Sequence, residues 1–285
     1  MHIEPLKILH QKLLQPRLQQ LNSPLSEYSF ANLYLFRERH QYEVITIDDH
    51  VFLKGVTRDQ IPYIMPTSHP ANIPRPILKQ VLSTSYPLFP IPDEWLLDLD
   101  HQIFHSDFNE NESDYLYSRT KFLHYAGRHL DSKRNQIKQL LKQNEVKSVL
   151  FSDQIKDAEL ILEIWAQEYG EENQTDYLSC LEAVRNAKEL NLHGRIVYVN
   201  KKPAVFFLGE WGAKNSFMVH FSKGDKSIKG IYPYLFQDLA KSLGEGCSWI
   251  NLEQDLGLPS LRYSKKSYQP DFLLKKWRLH FIVDE

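Results

Sequence analysis

The sequence predicts a mixed α/β protein made of two similar domains in tandem, each a mixed sheet with helices on its faces. Three observations carry this. At 285 residues the chain is long for one core and comfortable for two domains of about 140 residues each. Three closely spaced strand patterns are followed by alternating helix and strand patterns. That order occurs twice, without any repeat of the letters.

The second half is read most easily. KSVLF (147–151) is a short strand, and Ser152 then caps a helical run from Asp153 to Tyr169. Ile155, Leu162 and Trp165 are among its apolar positions, and Gly170 is its stop. A second helix over 175–190 carries Leu178, Leu181, Val184 and Ala187 at helical spacing. RIVYV (195–199), PAVFFLGE (203–210) and SFMVHFS (216–222) follow, with turns short enough for antiparallel hairpins. A Gly/Lys loop over 223–230, a helix over 231–243, the strand SWIN, a short helix near 259–267 and a strand over 277–283 complete the order. In that last strand Trp277, Leu279 and Phe281 alternate with Arg278 and His280, the pattern of a half-buried strand.

In the first half, helical LKILHQKLLQPRLQQL and EYSFANLYLFRER precede YEVITI, HVFLKGV and IPYIMP. A helix over 74–84, the strand YPLF, a helix over 92–105 and the strand DYLYS come next. The order αα-βββ-α-β-α-β resembles that of the GNAT acyltransferase fold, here in tandem, with domains expected over 1–145 and 146–285. The fold alone fixes no chemistry.

Composition narrows the class. Hydrophobic residues are 42% and charged residues 25%, the profile of a soluble globular protein. The N-terminus lacks the basic and apolar regions of a secretory signal, and no apolar run approaches the roughly 18 residues that span a bilayer. Cys180 and Cys247 have no zinc-like spacing, which fits a reducing cytosol. The expected location is therefore cytoplasmic, with peripheral attachment at the inner face of the membrane as the variant. The net charge of −2 hides alternating blocks. Residues 92–114 hold eight acidic side chains and no Lys or Arg, whereas 119–147 hold eight basic ones against Asp131 and Glu145. Solvated faces are the ordinary explanation of such blocks; a localised anion site is the functional one.

Three places are candidates for a site. The turn into the helix at 231 brings Lys223, Lys226, Lys229 and Gly230 to a helix start, where free N–H groups attract phosphate. The matching turn of the first half, PTSHPANIPRP, is proline-rich and lacks glycine. Next, INLEQDLGLPSLRYSKKSYQP (250–270) sets Glu253 and Asp255 after a strand, with Arg262 and Lys265 three apart on a helix. The carboxylates suit proton transfer or an ammonium group, the basic pair phosphate or an oxyanion. A salt bridge between Asp255 and Arg262 is the structural alternative. Third, GRHLDSKRNQIKQLLK (127–142) places Lys133 within an apolar stripe and Arg134 on its edge, positions from which a long side chain snorkels out or meets a partner. His101 and His105, one turn apart, read as a solvent face, and no metal site is expected. His220, inside a strand, reads as a satisfied strand residue.

SEYSFANLYLFRERH, GRHLDSKRNQIKQL, VHFSKGDKSIKGIY and the 250–270 block resemble the recurring blocks of a bacterial family related to the C-terminal domain of phosphatidylglycerol lysyltransferase. The resemblance implies a tandem GNAT-like fold, akin also to the Fem-type aminoacyltransferases, and a reaction that moves an amino acid from a charged tRNA to a lipid or peptide acceptor. By resemblance, Lys133, Arg134 and Asn135 match the family's K-R-N block, a tRNA or anion contact. Glu253, Asp255, Gly257, Arg262, Lys265 and Tyr268 match its last block. Ser260, Ser264, Gln136 and Leu140 depart from the family pattern, and the membrane-spanning half of the lysyltransferase has no counterpart here.

Three functions follow as expectations. The first is an aminoacyltransferase with aminoacyl-tRNA as donor, Glu253 and Asp255 catalytic, and Lys223, Lys226, Lys229, Gly230, Arg262, Lys265 and Tyr268 binding substrate or phosphate. The second is an N-acyltransferase with acyl-CoA as donor, although KSIKGI is only a loose analogue of a pyrophosphate loop. The third is a binding module that reads an anionic ligand. No permanently bound cofactor is expected in any of them.

Overall fold

In the computed structural model, which describes residues 1–82, 86–100, 102–152, 154–167 and 175–282, the chain forms two compact units. The first comprises Met1–Tyr115, Gln254–Tyr263 and Leu273–Glu285; the second comprises Leu116–Glu253 and Ser264–Phe272.

The first unit opens with β1 (His2–Pro5), α1 (Gln11–Leu21), α2 (Phe30–Leu35) and α3 (Arg37–His40). Ser29 caps α2 by accepting the Asn32 N–H at 3.1 Å. The hairpin strands β2 (Glu43–Ile47), β3 (His50–Val56) and β4 (Pro62–Pro66) follow, then α4 (Arg75–Val81), β5 (Leu88–Ile91) and β6 (Phe104–Phe108). The helix expected over 92–105 is a short 3₁₀ helix, Asp93–Asp98, and β6 follows at Phe104. Local helical spacing loses there because Phe104–Phe108 finds five register partners on another strand.

The chain then runs through β7 (Asp114–Ser118), α5 (Arg119–His124), α6 (Asp131–Gln143) and β8 (Val146–Leu150). Next are α7 (Ile155–Gln167), α8 (Tyr177–Arg185), β9 (His193–Val199), β10 (Lys202–Trp211), β11 (Ser216–Gly224) and α9 (Ile231–Ser242). It ends in β12 (Trp249–Asn251), α10 (Pro259–Lys266), β13 (Phe272–Leu274) and β14 (Trp277–Phe281). The β9–β10 turn is the tight hairpin its sequence suggests, with Asn200 and Lys201 both at positive φ (50° and 66°). The expected helix start at Asp153 and stop at Tyr169–Gly170, and His101 of the histidine pair, lie outside the described residues.

The two seven-stranded sheets have the orders β1-β2-β3-β4-β5-β14-β6 and β13-β7-β12-β11-β10-β9-β8. Both are mixed sheets, with parallel and antiparallel pairs, and they stand in tandem as expected. One feature departs from the sequence reading: the strand beside the fifth of each sheet comes from the other half of the chain. β7 pairs with β12, and β14 pairs with β5 and β6. The units therefore do not divide at 145/146, because β-pairing, which is insensitive to distance along the sequence, assigns β7 and β14 crosswise.

In the second unit α7 packs on β10 and β11, and α9 on β10 beside α5 and α6. Phe206, Phe207, Phe217, Phe221, Leu235 and Leu239 are buried there. No helix among the described residues is long and apolar enough to cross a membrane.

Candidate functional site

β11 and β12 run parallel and pair only from Ser216↔Trp249 to Met218↔Asn251, while β11 continues to Gly224. On the other side of β11 the register slips. Leu208 faces Phe221 and Gly209 faces Val219, so His220 is the extra residue of a β-bulge. Bulges re-aim side chains and occur beside active sites. Here the bulge directs a fully buried imidazole between two glutamates. His220 Nε2 lies 2.8 Å from Glu210 Oε1, and Nδ1 lies 2.7 Å from Glu253 Oε1. Burial alone would push the imidazolium down, but the hydrogen bonds and charges of Glu210 and Glu253 outweigh it and raise its pKa to about 10.

Glu253 is set by its turn. The Asn251 side chain, fully buried, accepts the Glu253 N–H at 2.7 Å, and Glu253 itself has φ 58°. A non-glycine residue in that left-handed region costs about 1 kcal/mol. The Lys265 ammonium compensates by donating to the carbonyls of Leu252 (2.5 Å) and Glu253 (3.0 Å). Lys265 thus holds the turn that presents the carboxylate.

Asp255, two residues on, belongs to the first unit. It is buried and accepts from the Tyr115 hydroxyl (2.6 Å), Arg262 Nε and Nη2 (2.6 and 3.0 Å) and the Gly257 N–H (2.8 Å). Burial pushes its carboxyl upward, and these donors outweigh burial and hold it below its ordinary value. Arg262 also donates to Asn111 Oδ1 at 2.6 Å. With four donors on its two oxygens, Asp255 is held as a structural partner of Arg262, the alternative its sequence offered.

The Gly/Lys turn is divided. Lys223 is buried: its ammonium bonds both oxygens of Asp176 (2.6 and 2.8 Å) and sits 3.8 Å from the Trp165 ring centroid. Its ammonium is thus already paired with a carboxylate within the second unit. Lys226 and Lys229 are exposed. Gly230 is the N-cap residue of α9, with φ 89°; a Cβ there would lie 2.6 Å from the Gln136 carbonyl oxygen of α6. A glycine is required at this approach.

On α6, Lys133 donates to Ser267 Oγ at 2.9 Å and lies 4.0 Å from the Tyr268 ring centroid; burial pushes its ammonium below the ordinary value. Tyr268 is buried, its ring 5.3 Å from Phe236 and 5.6 Å from Phe122. Tyr268 is thus core rather than a substrate contact. Arg134 bonds the carbonyls of Tyr125 and Gly127 and pairs with Asp131. Asn135 faces solvent, as do Arg128, Lys138 and Lys142. Of the last sequence block, then, only Glu253 joins the imidazole cluster, with Lys265 supporting its turn.

Sequence reasoning passed over His220 and Glu210. The available signal was a histidine inside an otherwise apolar strand, PheMetValHisPhe, with a glutamate at the end of the strand paired to it. Among the described residues no group of three or more His, Cys, Asp or Glu side chains could hold a metal ion.

Comparison with known proteins agrees with this architecture. A conserved protein of unknown function from Bacteroides thetaiotaomicron superposes with a TM-score of 0.84 at 23% identity, over 98% of this chain and 99% of that one. L-PGS from Bacillus licheniformis matches with a TM-score of 0.55 at 12% identity, over 84% and 83% of the two chains. At these identities the likeness is one of fold. An uncharacterised protein of Mycoplasmoides gallisepticum is 24% identical over 198 residues, 66% of this chain and 62% of its own length. The chain thus spans less than two thirds of that curated relative. The family model of the C-terminal part of phosphatidylglycerol lysyltransferase matches residues 18–280, nearly the whole chain, and the chain therefore belongs to that transferase family.

Proposed function

We propose that this chain is an aminoacyltransferase that moves an amino acid from aminoacyl-tRNA to an amine or hydroxyl of a lipid or peptide, with Glu253 as the carboxylate that takes the acceptor's proton. The observation that carries this reading is the placement of Glu253, fixed by His220 and Lys265 where β11 and β12 part. The acceptor nitrogen or oxygen attacks the ester carbonyl, its bond to that carbon forms, and its proton passes to Glu253. The ester C–O bond then breaks, Glu253 gives the proton it took to the leaving ribose oxygen, and the tRNA departs with a free hydroxyl. Family membership supports the donor and the lipid class of acceptor. In this reading the outward side chains Arg128, Lys138 and Lys142 of the basic segment face the RNA backbone, since Lys133 and Arg134 are turned to protein groups. Phosphate contacts release counterions, so binding should weaken steeply with salt. In this reading the chain works in the cytoplasm or at the inner face of the membrane.

The test mixes the protein with tRNA charged with labelled amino acids and with a lipid and peptide extract. Label leaving the tRNA faster than with Glu253→Gln, into a lipid or peptide fraction, supports the reading and identifies the acceptor class. No movement above the variant, with both proteins folded, overturns it.

A second reading, with acyl-CoA as donor, draws on the turn that leads from β11 through Gly230 into α9. It predicts that CoA, and not tRNA, raises the melting temperature. Retained anion binding with no transfer from either donor would favour a binding module instead.

A further inference from the structure

The His220 ring is fully buried and meets a carboxylate oxygen at each nitrogen, at 2.7 and 2.8 Å. An ionised carboxylate only accepts hydrogen bonds, so both contacts are hydrogen bonds only if both ring nitrogens carry protons. A neutral imidazole has a single N–H and would turn a lone pair against one of the glutamates. Among the described residues these two carboxylates are the ring's hydrogen-bond partners, and the bulge removes His220 from the register of β10 while keeping its side chain inside. The charged groups that face the ring are Glu210 from β10 and Glu253 from the turn after β12.

We propose that His220 is a positioning residue held as an imidazolium, which fixes the Glu253 carboxylate at the sheet opening while Glu210 serves as its second counter-ion. The inference rests on the reading of Glu253 as the group that meets substrate, and adds two residues that act through it. A doubly protonated ring has no lone pair, so His220 does not take the substrate's proton; Glu253 does. The three groups together carry one net negative charge, which suits an incoming ammonium group better than an anion. The raised pKa of His220 agrees with this arrangement.

The experiment is a pH series of long-range 1H–15N correlation spectra on the full chain and on the Glu210→Gln and Glu253→Gln variants. The His220 signal is identified by its response to both substitutions. Both nitrogens should carry protons at pH values where exposed histidines, with midpoints near ~6.5, have become neutral. Glu210→Gln should weaken proton affinity at His220 at least tenfold, a midpoint lowered by about one unit or more. A single-N–H neutral ring in the wild type at neutral pH, or a midpoint unmoved by Glu210→Gln, overturns the proposal. The transfer assay gives the second readout: its alkaline limb should move to lower pH in Glu210→Gln, a change that a merely structural role would not produce. Failure of transfer with the imidazolium present removes only the aminoacyltransferase reading. A neutral ring with transfer intact removes only this proposal.

Discussion

The Lys276 ammonium lies 2.6 Å from the Asp114 carboxylate, and both side chains are completely buried. Asp114 is the first residue of β7 and Lys276 immediately precedes β14, the two strands taken crosswise by the sheets. Glu27 joins them at 2.6 Å from Lys276, and the Ser26 N–H and hydroxyl donate to Asp114 at 2.9 and 3.2 Å. An ion cluster thus pins the root of the strand exchange within the first unit.

Replacing the cation should be costly. Lys276→Met leaves two buried carboxylates without their partner, and removal of one member of a buried pair typically costs about 3–5 kcal/mol. Urea denaturation should show a midpoint lowered to match, with an unchanged slope.

The same cluster makes stability depend on pH. Burial, reinforced by the Asp114 charge and opposed by Lys276, raises the Glu27 pKa from 4.5 to about 7. Between those values the folded chain holds a proton that the unfolded chain releases. The contribution of Glu27 to stability is therefore fully present below about 4.5 and is lost as pH rises through about 7. Denaturation midpoints measured across this range should show that slope in the wild type and lose it in Glu27→Gln.

The neighbouring carboxylates of the last block should separate by experiment. Asp255→Asn breaks the paired bonds from Arg262 and should lower the melting temperature. Because the Asp255 carboxyl is held below 3.8, its stabilisation is present above that pH and is lost as pH falls further. Glu253→Gln takes one of two counter-ions from the buried His220 ring, so it should also lower the melting temperature, but it should in addition abolish transfer by the folded protein. Calorimetry beside the transfer assay distinguishes the two.

Gly230→Ala should destabilise by about 1–3 kcal/mol, because the residue sits at φ 89° and the added methyl meets the Gln136 carbonyl. Gly246→Ala, which meets nothing within 4 Å, should change stability by no more than about 0.5 kcal/mol. Thermal melts of the two variants give the comparison.

The halves should not fold alone. A chain of residues 146–285 lacks β7, and a chain of residues 1–145 lacks β14. Each fragment should melt without a cooperative transition by circular dichroism, and co-expression should restore one.

Much of the fold was legible because hydrophobic period is local. The strands around 43–66 and 193–224 are short, largely buried apolar runs joined by adjacent hairpins, and α9 carries a stripe ending at Leu239 and Ala240. β6 was hidden by the apolar spacing of 93–103, which a tight turn and a strand satisfy as well as a helix. Of the candidate site, Glu253 was legible from its place after a strand. Its partners were not, because Glu210 and His220 meet only through the bulge.

The sequence by itself determined the class of fold, the duplicated element order and the block that contains Glu253, since each depends on residues near one another along the chain. The tertiary structure decided which charged side chains are taken up by the protein. Lys223, Asp255 and Lys133 are as fully charged in the sequence as side chains that face solvent, such as Lys229 and Lys138. The first three are closed by Asp176, Arg262 and Ser267, which lie 47, 7 and 134 residues away. The structure likewise decided the crosswise placing of β7 and β14. Burial and hydrogen bonding are satisfied by proximity in space, and the order of residues along the chain does not record it.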